Sequence, residues 1–194
     1  YLLGGMGIFS LSAFSATNVA GTDGEVVVLT VENIINPVTA EYIIQGIKQA
    51  SQEKAAAVVI QLDTPGGLVT STRTIIKEML NSPVPGVVYV APSGSQAASA
   101  GTFIMIAAHI AAMAPGTNMG AAHPVSIGGE KMDKTMSDKV ENDLAAYIRS
   151  LAEKRGRNAK WAEKAVRESV SASEKEALKL KVIDLIARNL DELL

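Results

Sequence analysis

The sequence predicts an α/β fold in which parallel strands alternate with helices. Short β-branched runs at residues 25–31, 57–62 and 87–90 are typical of buried strands. Segments with apolar residues at helical spacing lie between these runs, and turns rich in Gly, Pro, Ser or Ala end them. Parallel strands joined by helices place their functional loops at the carboxyl ends of the strands.

The first half of the chain follows this pattern in order. Asn36 and Pro37 are expected to start a helix, because proline is tolerated in the first turn. The strand at residues 57–62 ends in a turn at residues 63–67, and a helix over residues 68–81 follows. The next loop, residues 91–98, connects the third strand to a helix of small residues.

In the second half of the chain, the sequence predicts a helix, a strand, a long loop, three further helices and a final strand. The helix over residues 99–108 precedes a strand at 110–114, and the polar loop 115–137 is a candidate flap over a site. A final strand is expected at 182–187. Two of the three later helices are predicted to start at capping boxes, Asp138 with Glu141 and Ser173 with Glu176. The helix between them is predicted to start at an asparagine cap, Asn158.

The chain divides into a short leader and one domain. Residues 1–24 begin with an uncharged apolar stretch that is shorter than the roughly 20 apolar residues of a membrane span. We expect this segment to be the remnant of a signal peptide, or else an apolar N-terminal segment, and to lie outside the fold. Residues 25–194 form the predicted domain.

Composition excludes several kinds of chemistry. The chain has no cysteine and only two histidines, so disulfides, thiolate metal sites and histidine-rich metal sites are not expected. No cofactor is implied. The net charge of −2 gives no electrostatic basis for binding nucleic acid.

Ser99 is a candidate nucleophile. It lies in a run of small residues where a loop passes into a helix, so its hydroxyl is expected near free backbone N–H groups at the helix start. The motif differs from the Gly-x-Ser-x-Gly elbow because Ala97 replaces the first glycine. A helix cap is an equally good interpretation of Ser99 from this motif alone.

Gly66 and Gly67 follow the second predicted strand. Paired glycines there can direct a backbone N–H into a pocket with no side chain in the way. An ordinary turn explains the same residues when they are considered alone. Asp63, which precedes them, is expected to stabilise the turn rather than to act as a catalytic acid.

Three stretches together resemble the NfeD-family membrane-bound serine proteases, the partners of stomatin-operon proteins. They are LDTPGG, APSGSQAASAG and AAMAPGTNMGAAHPV, and the similarity continues to the closing EALKLKVIDLIA. The resemblance implies the fold shared with Clp protease subunits and crotonases, a spiral of strand–strand–helix repeats. It also implies a homodimer or higher oligomer.

The resemblance also implies roles for individual residues. Ser99 would be the nucleophile and Lys139 the base of a Ser–Lys dyad, and the N–H groups of Gly67 and Ala100 would bind the oxyanion. The substrate-binding residues are expected to be Gly66, Gly67 and Gly120.

The base needs a separate argument, because His123 is a rival to Lys139. A lysine ordinarily titrates near about 10.4, so a lysine base working near pH 7.5 needs its cation disfavoured by roughly 4 kcal/mol. The capping box at Asp138 would place Lys139 in the first turn, where the helix dipole opposes positive charge. His123 needs no such shift and matches the position of the histidine in Clp-type triads. We favour Lys139.

The remaining titratable residues are given structural roles. We expect Lys131 and Lys134 to be solvated lysines of the flap, and His109 to pack at the junction between a helix and a strand.

Three functions remain open on the sequence. The favoured one is a peptidase that cleaves a hydrophobic segment of a membrane-associated, stomatin-like protein, acting on the extracytoplasmic side of a membrane. Segments that this chain does not contain would then provide the membrane attachment. The alternatives are a crotonase-like acyl-CoA enzyme, which needs acid/base carboxylates at the site, and a non-catalytic interaction domain.

Overall fold

A computed structural model describes residues 16–21, 24–125 and 133–194. Its main element is a six-stranded sheet in the order β1-β2-β3-β4-β6-β9. Strands β2, β3, β4, β6 and β9 are parallel, and β1 pairs antiparallel with β2 at one edge. The strands of this sheet are β1 Ala16–Gly21, β2 Gly24–Glu32, β3 Ala57–Asp63, β4 Gly86–Val90, β6 Ile110–Met113 and β9 Leu185–Ile186.

A second, three-stranded sheet lies at the carboxyl ends of the main strands. Its members are β5 Gln96–Ala98, β7 Asn118–Gly120 and β8 Ser171–Ser173, in the order β5-β7-β8. Strands β5 and β7 are parallel. Thr64, just after β3, forms a bridge with Ala97 of β5, so the small sheet is tied to the loop that ends a main strand.

Helices connect the strands and cover the sheet. They are α1 Pro37–Gln52, α2 Val69–Asn81, α3 Ala100–Ala107, α4 Lys134–Lys154, α5 Ala159–Arg167, α6 Glu174–Lys179 and α7 Leu190–Leu193. The side chain of Asn36 accepts a hydrogen bond from Thr39 N at the start of α1, and Asn158 caps α5 in the same way. The helix start at Asn36 and Pro37, the Asn158 cap and the capping box of Ser173 and Glu176 were predicted.

The main core lies between the sheet and helices α1 to α5. Every residue of α3 is buried, which explains its composition of small and aliphatic residues without charge. A smaller apolar cluster around Tyr89 and Val59 fills the other face of the sheet, where Leu190 and Leu193 of α7 pack against it. Within the described residues, no helix is long and apolar enough to cross a membrane.

The structure corrects the predicted start of α4. The cap of α4 is Asp133, whose side chain accepts from Met136 N, and Asp138 lies within the helix. The predicted capping box at Asp138 is therefore wrong, and Lys139 lies beyond the first turn. The helix dipole acts mainly over the first turn, so it disfavours the cation of Lys139 less than a position in that turn would.

Three further predictions about the elements also change. The final strand is only Leu185–Ile186, because the residues before it form turns after α6. Part of the segment that was left out of the fold, Ala16–Gly21, pairs with β2 as β1. Lys134 is the first residue of α4 and not part of a loop, whereas Lys131 and the middle of the predicted flap lie outside the described residues.

Candidate active site

Ser99 occupies a strained turn between β5 and α3. Its φ is 50° and its ψ −111°, a region that residues with a side chain rarely adopt. It stands at the N-cap position of α3, yet its side chain makes no capping hydrogen bond. The helix-cap interpretation of Ser99 is therefore wrong, and the hydroxyl remains available. Sharp turns of this kind present the nucleophile in other serine hydrolases.

Gly66 packs directly against Ser99. A Cβ on Gly66 would lie 2.8 Å from Ser99 Cβ and 3.3 Å from Ser99 Oγ, and the φ of Gly66 is +130°. No other residue type fits there without moving the serine. The glycine pair after β3 therefore has a steric role beside Ser99, although β3 and Ser99 are far apart in sequence.

Hydrogen bonds from below hold the Ser99 turn. Ser99 N donates to Gly120 O at 2.9 Å. The buried hydroxyl of Thr102 lies 2.9 Å from both Ala97 O and Gly120 O, and it accepts from Gly120 N at 3.0 Å. Gly120 is buried with φ +129°, and a Cβ there would lie 2.4 Å from Val170 O. The structure places Gly120 beneath Ser99 as a support and not on the surface of the cavity described below.

Two backbone N–H groups next to Ser99 have no hydrogen-bond acceptor among the residues that the structure describes. Ile35 N donates to Gly66 O and Leu68 N donates to Ile35 O, which leaves the N–H of Gly67 between them without an acceptor in the described part of the chain. The N–H of Ala100 begins α3 and likewise has no acceptor there. Such donors at a helix start and a glycine turn suit an oxyanion.

An apolar cavity of about 460 Å³ opens above Ser99. Its walls come from the start of α2, from α3, from the segment after β7 and from α4. The residues that line it are Gly67, Leu68, Val69, Thr72, Arg73, Ser99, Ala100, Phe103, Ala122, Pro124, Val125, Val140, Leu144 and Tyr147. A cavity of this size and lining fits apolar side chains of a ligand.

Aromatic contacts join α3, α4 and α2 at the wall of this cavity. The rings of Phe103 and Tyr147 stack with their centroids 6.0 Å apart. The guanidinium of Arg73 lies 4.1 Å from the centroid of the Tyr147 ring, within cation–π range. Burial raises the pKa of Tyr147, and the charge of Arg73 partly opposes that shift. Arg73 also forms an ion pair with Asp143 of α4.

Lys139 lies on the same helix as three residues of the cavity wall, but its own side chain is exposed. Lys139 directly precedes Val140 on α4 and does not itself line the cavity. Among the described residues, no hydrogen bond joins Lys139 to Ser99. The structure therefore carries the predicted base on a helix that lines the cavity, with its side chain outside the lining, and does not assemble the dyad.

His123 is held elsewhere. Its Nδ1 lies 2.9 Å from Val166 O of α5, and the side chain does not line the cavity. His123, the rival base, therefore makes a hydrogen bond to the backbone of α5 and does not contact Ser99.

Asp63 and His109 have the structural roles expected from the sequence. Asp63 accepts from Gln96 N at 3.0 Å and so ties the turn after β3 to β5. His109 lies between α3 and β6, where its Nδ1 accepts from Gly86 N. Burial, followed by the charge of Arg155, lowers the pKa of His109. No cluster of residues that could hold a metal ion occurs in the described ranges.

The sequence reasoning missed Arg73, Phe103 and Thr102. Tyr147 was not identified as a site residue either. The repeat of Val140, Leu144 and Tyr147 along α4 marks one face of that helix, and this face lines the cavity. No local pattern distinguishes Arg73 or Thr102 from ordinary helix residues, because their partners come from other elements.

Comparison with known proteins gives consistent matches. The sequence profile of the NfeD1b N-terminal domain matches residues 25–193. The membrane-bound protease PH1510 of Pyrococcus horikoshii is 38% identical over 190 residues, which cover 96% of this chain and 41% of that protein. The chain thus spans less than half the length of this relative.

Two solved structures have the same fold and 38% identity. One is a serine-to-alanine mutant of the 1510-N membrane-bound stomatin-specific protease, with a TM-score of 0.78, covering 86% of this chain and 82% of that one. The other is a lysine-to-alanine mutant of the same protease in complex with a substrate peptide, with a TM-score of 0.78 and coverage of 86% and 76%. These matches confirm the predicted fold class and support the predicted serine protease.

Proposed function

Because this chain belongs to the NfeD1b N-terminal domain family, we propose that it is a serine endopeptidase domain with Ser99 as nucleophile and Lys139 as base. The observation that carries the proposal is the Ser99 turn. Within the described residues, a strained serine with an unpaired hydroxyl stands beside two unpaired backbone N–H groups at the floor of an apolar cavity. Relatives of this chain described as proteases support it.

The chemistry follows from this arrangement. Ser99 Oγ attacks the carbonyl carbon of the peptide bond while neutral Lys139 Nζ takes the hydroxyl proton. The N–H groups of Gly67 and Ala100 hold the resulting oxyanion. The tetrahedral intermediate collapses as the C–N bond breaks, and the ammonium of Lys139 returns the proton to the leaving amine. Water then hydrolyses the ester on Ser99, with Lys139 again accepting a proton.

This mechanism requires Lys139 to approach Ser99 when substrate is bound. Its helix already contributes Val140, Leu144 and Tyr147 to the cavity, so a ligand that fills the cavity contacts the same helix that carries the base. A substrate that covers this part of α4 also removes water from around Lys139, and the loss of water disfavours the lysine cation.

The substrate is an extended apolar segment of a membrane-associated protein of the stomatin type. The apolar walls of the cavity suit such side chains, and a related protease is described as stomatin-specific. We further propose that the domain acts as a homodimer or larger homo-oligomer on the extracytoplasmic side of a membrane. Relatives named as membrane-bound support the membrane association.

The crotonase-like alternative is less well supported. That chemistry uses acid/base carboxylates at the reacting carbon, and no Asp or Glu is among the described residues that line the cavity.

The test is cleavage of a peptide with a hydrophobic segment by the wild type and by Ser99→Ala, Lys139→Ala and His123→Ala. Ser93→Ala is the matched control, since Ser93 is an exposed serine of the same loop. We expect loss of cleavage of at least about 10³-fold in the first two variants and near-wild-type rates in the others. Full activity in Ser99→Ala would disprove the proposal, and loss in His123→Ala with full activity in Lys139→Ala would transfer the base to His123.

A further inference from the structure

The three carboxylates of α4 closest in sequence to Lys139 are each paired with another cation. Asp138 pairs with Lys134 at 2.8 Å, Glu141 with Arg167 at 3.2 Å, and Asp143 with Arg73. Lys139 itself takes part in no ion pair within the part of the chain that the structure describes. A lysine base needs its neutral form, and a carboxylate partner would stabilise the charged form.

Only one of these carboxylates lies on the same face of α4 as Lys139. Residues four apart on a helix are neighbours, whereas residues one or two apart point in different directions. Asp143 is four residues after Lys139, while Asp138 and Glu141 are one and two residues away. Asp143 is therefore the acidic group on α4 that is placed to pair with Lys139.

Arg73 is fixed where it can hold Asp143. Its guanidinium lies over the ring of Tyr147, which is one turn beyond Asp143 on α4, and it donates to Asp143 Oδ2. Tyr147 in turn stacks on Phe103 of α3, the helix that begins after Ser99. The position of Arg73 is thus set by contacts that run from the helix of the nucleophile to the helix of the base.

We propose that Arg73 is a positioning residue that keeps the Asp143 carboxylate occupied, so that Lys139 has no counter-ion and can act as a neutral base. The inference rests on the proposed Ser–Lys mechanism. The charged residues of α4 and its cap within two turns of Lys139 are Asp133, Lys134, Asp138, Glu141 and Asp143. Arg73 of α2 and Arg167 of α5 pair with two of them, and Arg167 also pairs with Glu163. The titratable His123 lies in the segment after β7. Of these, Glu163 is bonded to Arg149 and Arg167, and His123 to a backbone carbonyl.

In Arg73→Ala the carboxylate of Asp143 is released one turn from Lys139. The ammonium form of Lys139 is then favoured, and cleavage needs a higher pH. We expect the midpoint of the pH–rate profile to move up by about 0.15 to 0.4 pH unit, which lowers the rate about 1.4- to 2.3-fold on the acidic limb. The rate recovers on the alkaline plateau.

The double variant Arg73→Ala/Asp143→Asn separates this effect from a purely structural one. Removing the released carboxylate returns the midpoint to the wild-type value, whereas a loss of packing over Tyr147 would not be restored. Lys134→Ala is the matched control, because it also removes a cation and frees a carboxylate of α4. The freed Asp138 does not face Lys139, so the midpoint stays unchanged.

The experiment measures kcat and kcat/KM against pH for these variants with an apolar peptide. A midpoint that does not move in Arg73→Ala, or a shift that persists in the double variant, would overturn the inference. NMR titration of Lys139 with carbon-13-labelled lysine, with its signal assigned by Lys139→Arg, gives a second readout in the Ser99→Ala background. That titration requires no cleavage, so it tests the role of Arg73 even if the proposed peptidase activity fails.

Discussion

Gly66 leaves space that only a hydrogen can fill beside Ser99: a Cβ there would stand 2.8 Å from Ser99 Cβ. This contact joins the turn after β3 to the turn before α3. It explains why a glycine precedes Gly67, whose unpaired N–H is the proposed oxyanion donor.

Gly66→Ala is therefore expected to displace Ser99. The left-handed φ and the short contact together cost about 1 to 3 kcal/mol of stability, and we expect cleavage to fall about 100-fold or more. Gly94→Ala is the matched control, because Gly94 also has a positive φ, +95°, but has nothing within 4 Å of its Cβ position. Thermal unfolding and cleavage rates check both variants. Equal loss of activity in the two would show that backbone strain, and not contact with Ser99, is responsible.

Thr102→Val tests the support beneath Ser99. The change keeps the shape but removes the hydroxyl that accepts from Gly120 N and donates to a carbonyl. A buried N–H left without an acceptor costs about 1 to 3 kcal/mol, which urea unfolding measures. We expect kcat to fall with little change in KM, and Thr102→Ser to restore both stability and rate. No rescue by serine would contradict this role of the hydroxyl.

Arg157 is expected to matter for stability and not for catalysis. Its buried side chain donates to Ile106 O and Ala108 O at the end of α3 and pairs with Asp184. Arg157→Met leaves these acceptors without a donor and should cost about 2 to 3 kcal/mol in urea unfolding. Arg188→Met, which removes an exposed ion pair with Glu192, is the control and should change stability by less than about 0.5 kcal/mol. Similar losses in both variants would contradict the assignment.

His109 gives the domain a pH-dependent stability. Its folded pKa is lowered, chiefly by burial, so the unfolded chain binds the proton more readily. The stability that neutral His109 contributes is present above its unfolded pKa of about 6.5 and is lost as the pH falls toward the folded value. His109→Asn keeps an acceptor for Gly86 N and should lose less stability than the wild type between pH 7.5 and 5 in urea unfolding. Parallel pH dependence in the two proteins would contradict this.

The main sheet could be predicted from the sequence because its signals are local. The runs that became β2, β3 and β4 are rich in valine, and a proline follows two residues after β3 and after β4. The small sheet was not predicted, because strands of three residues such as Gln96–Ala98 contain no such run. The start of α4 was misplaced, because Asp133 and Asp138 are both suitable caps and the sequence does not decide between them.

At the candidate site, the sequence could predict residue types but not contacts. Ser99 and Gly67 were singled out from local motifs and Ala100 from the family resemblance, and the structure brings them together at one cavity. The contact of Gly66 with Ser99 and the ion pair of Arg73 with Asp143 join residues of different elements. Only the folded chain shows such pairs, and the exposed position of Lys139 could likewise not be inferred from its motif.

The most direct test of the account is to locate the covalent adduct of a fluorophosphonate, a reagent that reacts with activated serines. The account predicts an adduct on the peptide that contains Ser99, found by mass spectrometry, with a labelling rate that rises with pH and falls at least about tenfold in Lys139→Ala. Cleavage of the apolar peptide should decrease in parallel with labelling. Continued cleavage without an adduct on Ser99, or labelling as fast in Lys139→Ala as in the wild type, would contradict the Ser–Lys mechanism.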